Sequence, residues 1–276
     1  MVDDRLTFCS VFLVFLVSCM CVEQETYAPE TVSPETSQAP QAEIDKELSV
    51  GSYDQILLCS KNPGSYQVFS EMLRAKGFSF HTLDPGREIG AELLSEYGIL
   101  VIDNRDFSSN EILLIEKWVI SGGSALFIAS IPGIQEKNMI LSSFGIQINM
   151  GYIDDPIHEK RYGGTTSGYY VFFYTEYILN HPISKDIHQI EYFSDQSSFR
   201  ILSDSKFTVV VFGEESAYDN YHTHSPPLVA VCTFEGGRIV VSTNIFYGTG
   251  KNVNTIGRGS NQLFAYQILK WLAWKI

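Results

Sequence analysis

Basic residues are scarce in this sequence of 276 amino acids, which has 19 lysines and arginines against 32 aspartates and glutamates. The formal net charge is −13 at pH 7, with histidine neutral. Proteins that bind nucleic acid obtain much of their affinity from lysines and arginines on phosphate groups. An acidic chain without a basic patch therefore argues against a nucleic-acid partner. No motif in the sequence predicts a cofactor.

Cysteine is also sparse, and only Cys59 and Cys232 of the five cysteines fall within the globular part of the chain. Their spacing indicates no disulfide, although two cysteines in an exported domain could pair. Free cysteines usually pack as small hydrophobic side chains, so we expect two buried thiols. Cys59 follows a predicted strand, where a doubly wound sheet binds its ligands, so a nucleophilic role is the alternative.

Metal ligands at a diagnostic spacing are missing as well. His222 and His224 lie near Asp219 in the sequence, but no third ligand follows at a spacing typical of zinc sites. The polar residues from Asp154 to Glu159 are a similarly weak group. We therefore expect exposed loop histidines and no metal site.

Residues 1–21 have the pattern of an export signal. An apolar run, Leu6–Val17, is followed by Ser18 and Cys19. The segment Leu16–Cys19 resembles a lipoprotein box, in which the cysteine is acylated after cleavage. The first five residues depart from the usual basic start, because they contain two aspartates and one arginine. We still predict a signal peptide, with Cys19 as the lipidation site.

An uncleaved signal anchor is the alternative, because the apolar stretch extended to residue 22 reaches the lower limit of about 17 residues for a membrane span. Both interpretations place the rest of the chain outside the cytoplasmic membrane and anchored to it. A single acyl chain holds a protein weakly, so a lipoprotein needs more than one. The expected partners are the membrane, through the N-terminal lipid or anchor, and proteins of the envelope or of a transport system.

Residues 22–49 are predicted to be a disordered tether. They are rich in Glu, Pro, Thr, Ser and Gln and nearly free of large apolar residues, so they cannot bury enough surface to offset the entropy of ordering. Their prolines and like charges favour an extended spacer. A degraded leader without a role is the alternative. Residues 50–276 have globular composition, and their length fits one domain with a single large core.

The fold class of this domain is indicated best by Ile99–Ser130, which predicts a strand, a helix and a second strand. Ile99–Ile102 is an unbroken apolar run, as in a strand buried on both faces of a parallel sheet. Ser108 and Glu111 form a capping box at the start of the helix, which two glycines then end. Ala125–Ala129 is the next strand, and a right-handed crossover places the helix on one face of the sheet.

Strands and helices also alternate in the rest of residues 50–149, and the second half is less regular. The other predicted strands are Gln55–Cys59, Phe78–Leu83, Tyr169–Tyr177, Phe207–Phe212, Leu228–Phe234 and Arg238–Thr243, and the other predicted helices are Gln67–Lys76, Arg87–Tyr97, Met139–Phe144 and one that Ser260 caps. This alternation predicts an α/β fold with a doubly wound, mostly parallel sheet flanked by helices, flavodoxin-like in class.

Three details of the second half are also predicted. The last two strands form a late hairpin in which Gly236 and Gly237 supply the positive φ angles of a tight turn. Asp154–Gly168 has little apolar content and is predicted to be a long surface loop, a candidate lid. The C-terminal helix is expected to pack one face inward, with the residues Leu263, Tyr266, Leu269 and Leu272.

This succession resembles the class I glutamine amidotransferase-like superfamily over most of residues 50–276. The residues that carry the resemblance are Asp103–Ser130, the NHPIS segment 180–184, the hairpin Pro227–Asn244 and the closing helix. Within the superfamily the sequence is most similar to uncharacterised extracytoplasmic domains related to transport and gliding-motility auxiliary proteins. Trehalose-utilisation-type domains are more distant relatives.

The resemblance also implies which catalytic groups are missing. Catalytic amidotransferases have a nucleophilic Cys in a GxCxG elbow after a central strand, and a His and a Glu beyond the late hairpin. Here residues 128–133 are IASIPG, with Ser130 and no Cys, and residues 242–248 are STNIFYG, without His or Glu. We therefore expect a non-catalytic domain and assign no catalytic residue.

A ligand site can still be predicted from topology, because open α/β sheets bind ligands beyond the carboxyl ends of their strands. The loops expected there are residues 60–65, 84–86, 104–107 and 130–133. The candidate ligand-binding residues in them are Ser60, Asn62, Gly64, Ser65, Asn104 and Ser130. The backbone amides of SKNPGS, residues 60–65, suit an anion or a sugar hydroxyl, and an ordinary tight loop is the alternative.

The sequence leaves two functions open, besides a purely structural role. The first is a tethered, non-enzymatic domain that binds a small ligand or a protein, and it predicts that Ser130 and Cys59 have no His or acid partner. The second is a hydrolase of a glycan or amide with a rebuilt site at the strand ends. It predicts that His158, His181 or His222 converges on Ser130 or Cys59.

Overall fold

The computed structural model describes residues 48–276, apart from residues 132, 166–167, 195, 204, 235 and 249–253. The predicted signal peptide, the lipidation site Cys19 and nearly all of the tether lie outside the described residues. No helix in the described part of residues 48–276 is long and apolar enough to span a membrane.

The elements follow the alternation that the sequence predicts, with extra short strands in the second half. The strands are β1 (Ser52–Cys59), β2 (Ser79–Thr82), β3 (Tyr97–Ile102), β4 (Ser124–Ile128), β5 (Ile146–Ile148), β6 (Ile153–Asp154), β7 (Glu159–Thr165), β8 (Gly168–Thr175), β9 (Ile190–Phe193), β10 (Phe199–Ile201), β11 (Thr208–Phe212), β12 (Tyr218–Asp219), β13 (Pro227–Phe234) and β14 (Gly237–Ser242). The α-helices are α1 (Gln67–Ala75), α2 (Ala91–Leu94), α3 (Ser109–Ile120), α4 (Ile134–Ser143) and α5 (Asn261–Leu272).

A seven-stranded sheet in the order β11-β13-β14-β4-β3-β1-β2 forms the centre of the domain. The five strands from β14 to β2 are parallel to their neighbours, and β13 and β11 add antiparallel pairs at one side. Successive residues of a strand point to opposite faces, so β1 contributes Ile56 and Leu58 to one core and Leu57 and Cys59 to the other. Helices α1 and α5 cover the first core, and α3 and α4 cover the second. The predicted doubly wound, mostly parallel sheet is confirmed.

Helix α3 begins as its sequence predicts. The Ser108 hydroxyl accepts a hydrogen bond from the Glu111 amide at 3.3 Å, and the Glu111 carboxylate accepts one from the Ser108 amide at 2.8 Å. Such a cap contributes about 1 kcal/mol. After the helix, Gly122 has a φ of 119°, which only glycine adopts readily. Ile115 and Trp118 are fully buried beneath the helix.

The predicted helix Arg87–Tyr97 is wrong in most of its length. Only the four residues of α2 are helical, and Tyr97 already belongs to β3. Tertiary hydrogen bonds hold the preceding residues in another conformation. The Ile89 amide donates to a carboxylate oxygen of Glu111 at 2.9 Å, and the Arg87 carbonyl accepts from the Arg105 guanidinium at 2.6 Å.

Two further boundaries differ from prediction. Helix α4 begins at Ile134, five residues before the predicted start, after Gly133 with a φ of 73° and without a side-chain cap. The predicted surface loop Asp154–Gly168 instead contains β7, which pairs antiparallel with β8. The backbone hydrogen bonds of this pair supply the stability that the sparse apolar residues of β7 do not.

Two predictions about the last elements are also corrected. The β13–β14 hairpin forms, but Gly237 does not have a positive φ. A Cβ atom on Gly237 would lie 2.3 Å from the Val119 carbonyl oxygen, so glycine is needed there for space. The Ser260 side chain makes no cap hydrogen bond to α5. Leu263 is 43% exposed, because α5 packs mainly through Phe264, Ile268 and Leu272.

Candidate functional site

Three strand ends bring a buried carboxylate and two hydroxyls together. Asp103 directly follows β3 and is only 6% exposed. Its carboxylate accepts a hydrogen bond from the Ser60 hydroxyl at 3.2 Å and one from the Ser130 hydroxyl at 2.5 Å. Ser60 follows β1 and Ser130 follows β4, and both strands are parallel neighbours of β3. The order of the sheet therefore assembles this group at the edge where open α/β sheets bind ligands.

Lys137 adds a positive charge to the group from helix α4. Its side chain is fully buried. The ammonium group donates to the Ile128 carbonyl at 2.8 Å, the Ser130 carbonyl at 3.0 Å and the Ser130 hydroxyl at 3.1 Å. Burial lowers the pKa of Lys137 to about 8, against the opposing effect of the carboxylates of Asp103 and Glu136. Ser130 therefore bridges a buried cation and a buried anion.

Tyr66 and Asn244 extend the group toward β14. The Tyr66 hydroxyl accepts a hydrogen bond from the Asn244 amide at 3.4 Å. Burial raises the pKa of Tyr66 well above its ordinary value, and the Asp103 carboxylate raises it further. The Asn244 backbone amide donates to the Gln196 side chain at 3.1 Å, and Gln196 forms a β-bridge with Ser130. We name the whole set the strand-end network; its members are Ser60, Tyr66, Asp103, Ser130, Lys137, Gln196 and Asn244.

Of the six residues predicted to bind a ligand, Ser60 and Ser130 belong to this network. Asn62, Gly64 and Ser65 lie on the loop after Ser60, where Asn62 and Gly64 are exposed. Asn104 follows Asp103 and is partly exposed. The side-chain amides of Asn62 and Asn104 make no hydrogen bond to any described residue, so they are available to a ligand at these two loops.

The backbone of the loop after Ser60 is used within the fold. The amide of Lys61 donates to the Asn104 carbonyl at 2.7 Å, that of Asn62 to the Ser60 hydroxyl at 3.1 Å, and that of Ser65 to the Asn62 carbonyl at 3.0 Å. Steric crowding does not require glycine at residue 64, since a Cβ there would have no atom within 4 Å. Anion binding by these amides stays a prediction.

The histidine partners required by the hydrolase hypothesis lie elsewhere. His158 contacts Asp155 at 3.1 Å and Ser216 at 3.0 Å, and its ring packs on Tyr174. The His181 ring accepts from the Ile183 amide, and His222 packs on Tyr218. Within the described part of the chain, no histidine hydrogen-bonds to Ser130 or Cys59. The prediction that Ser130 lacks an acid partner is nevertheless wrong, because Asp103 binds it.

The structure also places the two cysteines and Asp219, the other candidate residues of the sequence. Cys59 and Cys232 are buried and free, and burial raises the pKa of Cys59 to about 12, so its thiol is protonated at neutral pH. Hydrogen bonds from Ser198, Asn149 and two backbone amides occupy the Asp219 carboxylate. Among the described residues, no three His, Cys, Asp or Glu side chains are placed to hold a metal ion.

Comparison with known proteins supports the fold alone. No family model and no curated protein matches this sequence. A ThuA-like protein of Bacteroides uniformis is 12% identical with a TM-score of 0.53, over 83% of this chain and 94% of that one. A ThuA-like protein of Parabacteroides merdae is 13% identical with a TM-score of 0.51, over 82% and 90%. A cytoplasmic protein of Salmonella typhimurium is 12% identical with a TM-score of 0.54, over 79% and 98%. The chain therefore has the fold of the ThuA-like proteins, which is the class I glutamine amidotransferase-like fold.

Proposed function

We propose that this chain is an extracytoplasmic domain, tethered to the membrane by its N-terminal segment, that binds a polar small molecule at the strand-end network. The observation that carries the proposal is the buried carboxylate of Asp103, fixed by the hydroxyls of Ser60 and Ser130. Buried charges stabilise a fold less than apolar packing would, so their presence at a ligand-binding edge favours a functional role.

The loops after β1 and β3 support binding of a ligand that forms hydrogen bonds. The amides of Asn62 and Asn104 each offer donors and an acceptor that no described residue uses. Loops at this edge come from β1 and β3, whose rigid parallel pairing fixes the distance between them. A sugar, a nucleoside or an amino acid has the polar groups to bridge the two amides.

Sequence features support the location and the partners. The apolar leader with Leu16–Cys19 and the acidic residues 22–49 have the pattern of a lipoprotein or signal anchor followed by a spacer. The resemblance to transport and gliding-motility auxiliary domains favours a role as an accessory of an envelope or transport system. The missing amidotransferase cysteine supports binding in place of that chemistry.

Thermal unfolding of the full chain, kept in detergent micelles, tests ligand binding with a panel of sugars, nucleotides, amino acids, peptides and divalent metals. A ligand at 100 times its Kd adds about 2.7 kcal/mol, which raises the midpoint of a domain this size by about 5 to 10 °C. We expect the shift to be lost in Asn62→Ala and in Asn104→Ala, and kept in Asn180→Ala, an exposed asparagine on another loop. A panel without any shift, or a shift equal in all variants, would reject the site.

A second candidate function, hydrolysis of a glycan or amide, is favoured by the partners of Ser130. Its hydroxyl lies 2.5 Å from the Asp103 carboxylate, which can accept the hydroxyl proton. It also lies 3.1 Å from the Lys137 ammonium, which can stabilise the negative charge on the serine oxygen. The residue also stands between β4 and α4, at a turn from strand to helix. The hydrolase hypothesis predicts a histidine beside Ser130, whereas the structure has Lys137 there.

Hydrolysis of p-nitrophenyl esters and glycosides by the full chain tests this second candidate. If Ser130 is the nucleophile, Ser130→Ala will lower kcat/KM by about 100-fold or more, as loss of an activated catalytic group usually does. Ser143→Ala, on the far end of α4, is the matched control and should retain full activity. Equal rates for the wild type and Ser130→Ala would exclude this role.

A further inference from the structure

A pocket lies between the start of α4 and the small sheet formed by β5 and β10. Its volume is about 210 Å³. Of the described residues that line it, Arg200 alone is charged, and the other polar groups are amides such as Gln135 and Asn149 and the phenol of Tyr221. The pocket shares no lining residue with the strand-end network.

Hydrogen bonds orient the exposed side chain of Arg200. Its Nε and Nη2 donate to the Gln147 side-chain oxygen at 3.1 and 2.6 Å, and the two residues are direct partners across the β5–β10 pair. The Gln147 amide in turn donates to the Ser142 hydroxyl at 2.8 Å. Fixing the guanidinium in advance lowers the entropy cost of binding to it.

The arginine has no carboxylate partner among the described residues, and its Nη1 makes no hydrogen bond to any of them. This is unusual in a chain with a net charge of −13. Asp219, which hydrogen-bonds to the lining residue Asn149, is buried and already accepts four hydrogen bonds.

Two large side chains of the lining are exposed. Met150 is 56% exposed and Tyr221 is 62% exposed, although both are large side chains. This part of the lining is also anchored, because the Tyr221 amide donates to Asp219 at 2.9 Å and the Asn149 side chain donates to the same carboxylate at 3.1 Å. Exposed apolar groups beside a fixed cation are typical of a binding site.

We propose that this pocket binds a small organic carboxylate, with the carboxylate on Arg200 and the carbon skeleton against Met150 and Tyr221. The edge of the guanidinium formed by Nη1 and Nη2, which Gln147 does not cover, matches the two oxygens of a carboxylate. Hydrogen bonds between charged groups are about twice as strong as neutral ones. The volume admits a molecule the size of an amino acid or benzoate. The site is independent of the function proposed for the strand-end network.

Titration of the full chain in detergent micelles with benzoate and with benzamide, its uncharged analogue, tests the proposal by ligand-observed NMR. We expect benzoate to bind with a Kd of about 1 mM and at least tenfold more tightly than benzamide. Arg200→Gln should weaken benzoate binding at least tenfold and leave benzamide unchanged. Arg161→Gln, which removes an exposed arginine on β7, should change neither.

Two results would overturn the proposal: benzoate that binds no more tightly than benzamide, or benzoate affinity that is unchanged in Arg200→Gln. Tyr221→Ala should weaken both ligands, because it removes an apolar contact and keeps the charge. Asn62→Ala and Asn104→Ala should leave benzoate binding unchanged, so failure of this site and failure of the strand-end site are distinguished.

Discussion

Replacement of Lys137 by methionine is expected to destabilise the protein by about 3 to 5 kcal/mol at pH 7, although the two side chains have similar volumes. The ammonium group donates to three buried oxygens, and buried polar groups left without their partner cost about 1 to 3 kcal/mol each. Here the substitution leaves the Ile128 and Ser130 carbonyls and the Ser130 hydroxyl without that donor. Urea unfolding of both proteins measures the difference.

Burial of Lys137 also gives the stability a distinctive pH dependence. The pKa of Lys137 is lowered from 10.5 to about 8 by burial, so between these values the unfolded chain binds more protons than the folded one. Stability from this group therefore rises with pH across that range, by about 3 kcal/mol in total. The difference in the free energy of unfolding between the wild type and Lys137→Met should increase from pH 8 to pH 10.

Lys185→Met removes an exposed lysine and serves as the control. It should lower stability by less than about 0.5 kcal/mol at each pH, as surface substitutions usually do. If the difference in the free energy of unfolding between the wild type and Lys137→Met stays constant or decreases from pH 8 to pH 10, the pKa of Lys137 is not lowered by burial.

Gly237→Ala is expected to destabilise the protein by about 3 kcal/mol or more, the upper range for overpacking of a close contact. The added carbon would lie 2.3 Å from the Val119 carbonyl oxygen and 2.4 Å from that of Gly123. Both atoms belong to backbone at the end of α3 and the start of β4, which cannot move like a flexible side chain. The helix would have to separate from β14.

Gly90→Ala is the matched control, because a Cβ at residue 90 would have no atom within 4 Å and the backbone there is extended. This variant should be as stable as the wild type or more stable by about 0.4 to 1 kcal/mol, through the lower entropy of the unfolded chain. Thermal unfolding of both variants measures the effects. Equal midpoints would show that the α3–β14 contact yields easily.

Elements whose signals are local were predicted well from the sequence. Helix α3 is specified by Ser108 and Glu111 at its start and by Gly122 after its end, all within one short segment. The helix predicted over Arg87–Tyr97 fails for the opposite reason. Its spacing of apolar residues is helical, but side chains from Arg105 and Glu111 bind its backbone. Such contacts cannot be read from periodicity.

The candidate site also contains residues that the sequence predicts and residues that it does not. Topology alone places Ser60 and Ser130 at one edge of the sheet, since each follows a parallel strand. Lys137 gave no signal, because α4 was not expected to begin before Met139 and a lysine is usually exposed. Asn244 and Gln196 join the network through contacts with segments far away in sequence. Only the folded chain brings these groups together.

The position of β14 sets an order on folding. Strand β4 pairs with β3 on one side and with β14, residues 237–242, on the other. Until that late segment is available, the apolar segment Ser124–Ile128 is an open edge, and such edges pair readily with other chains. Pairing across this sequence distance is also slow to form. The late hairpin thus covers this edge of β4, and we expect a chain cut before residue 237 to leave the edge open to aggregation.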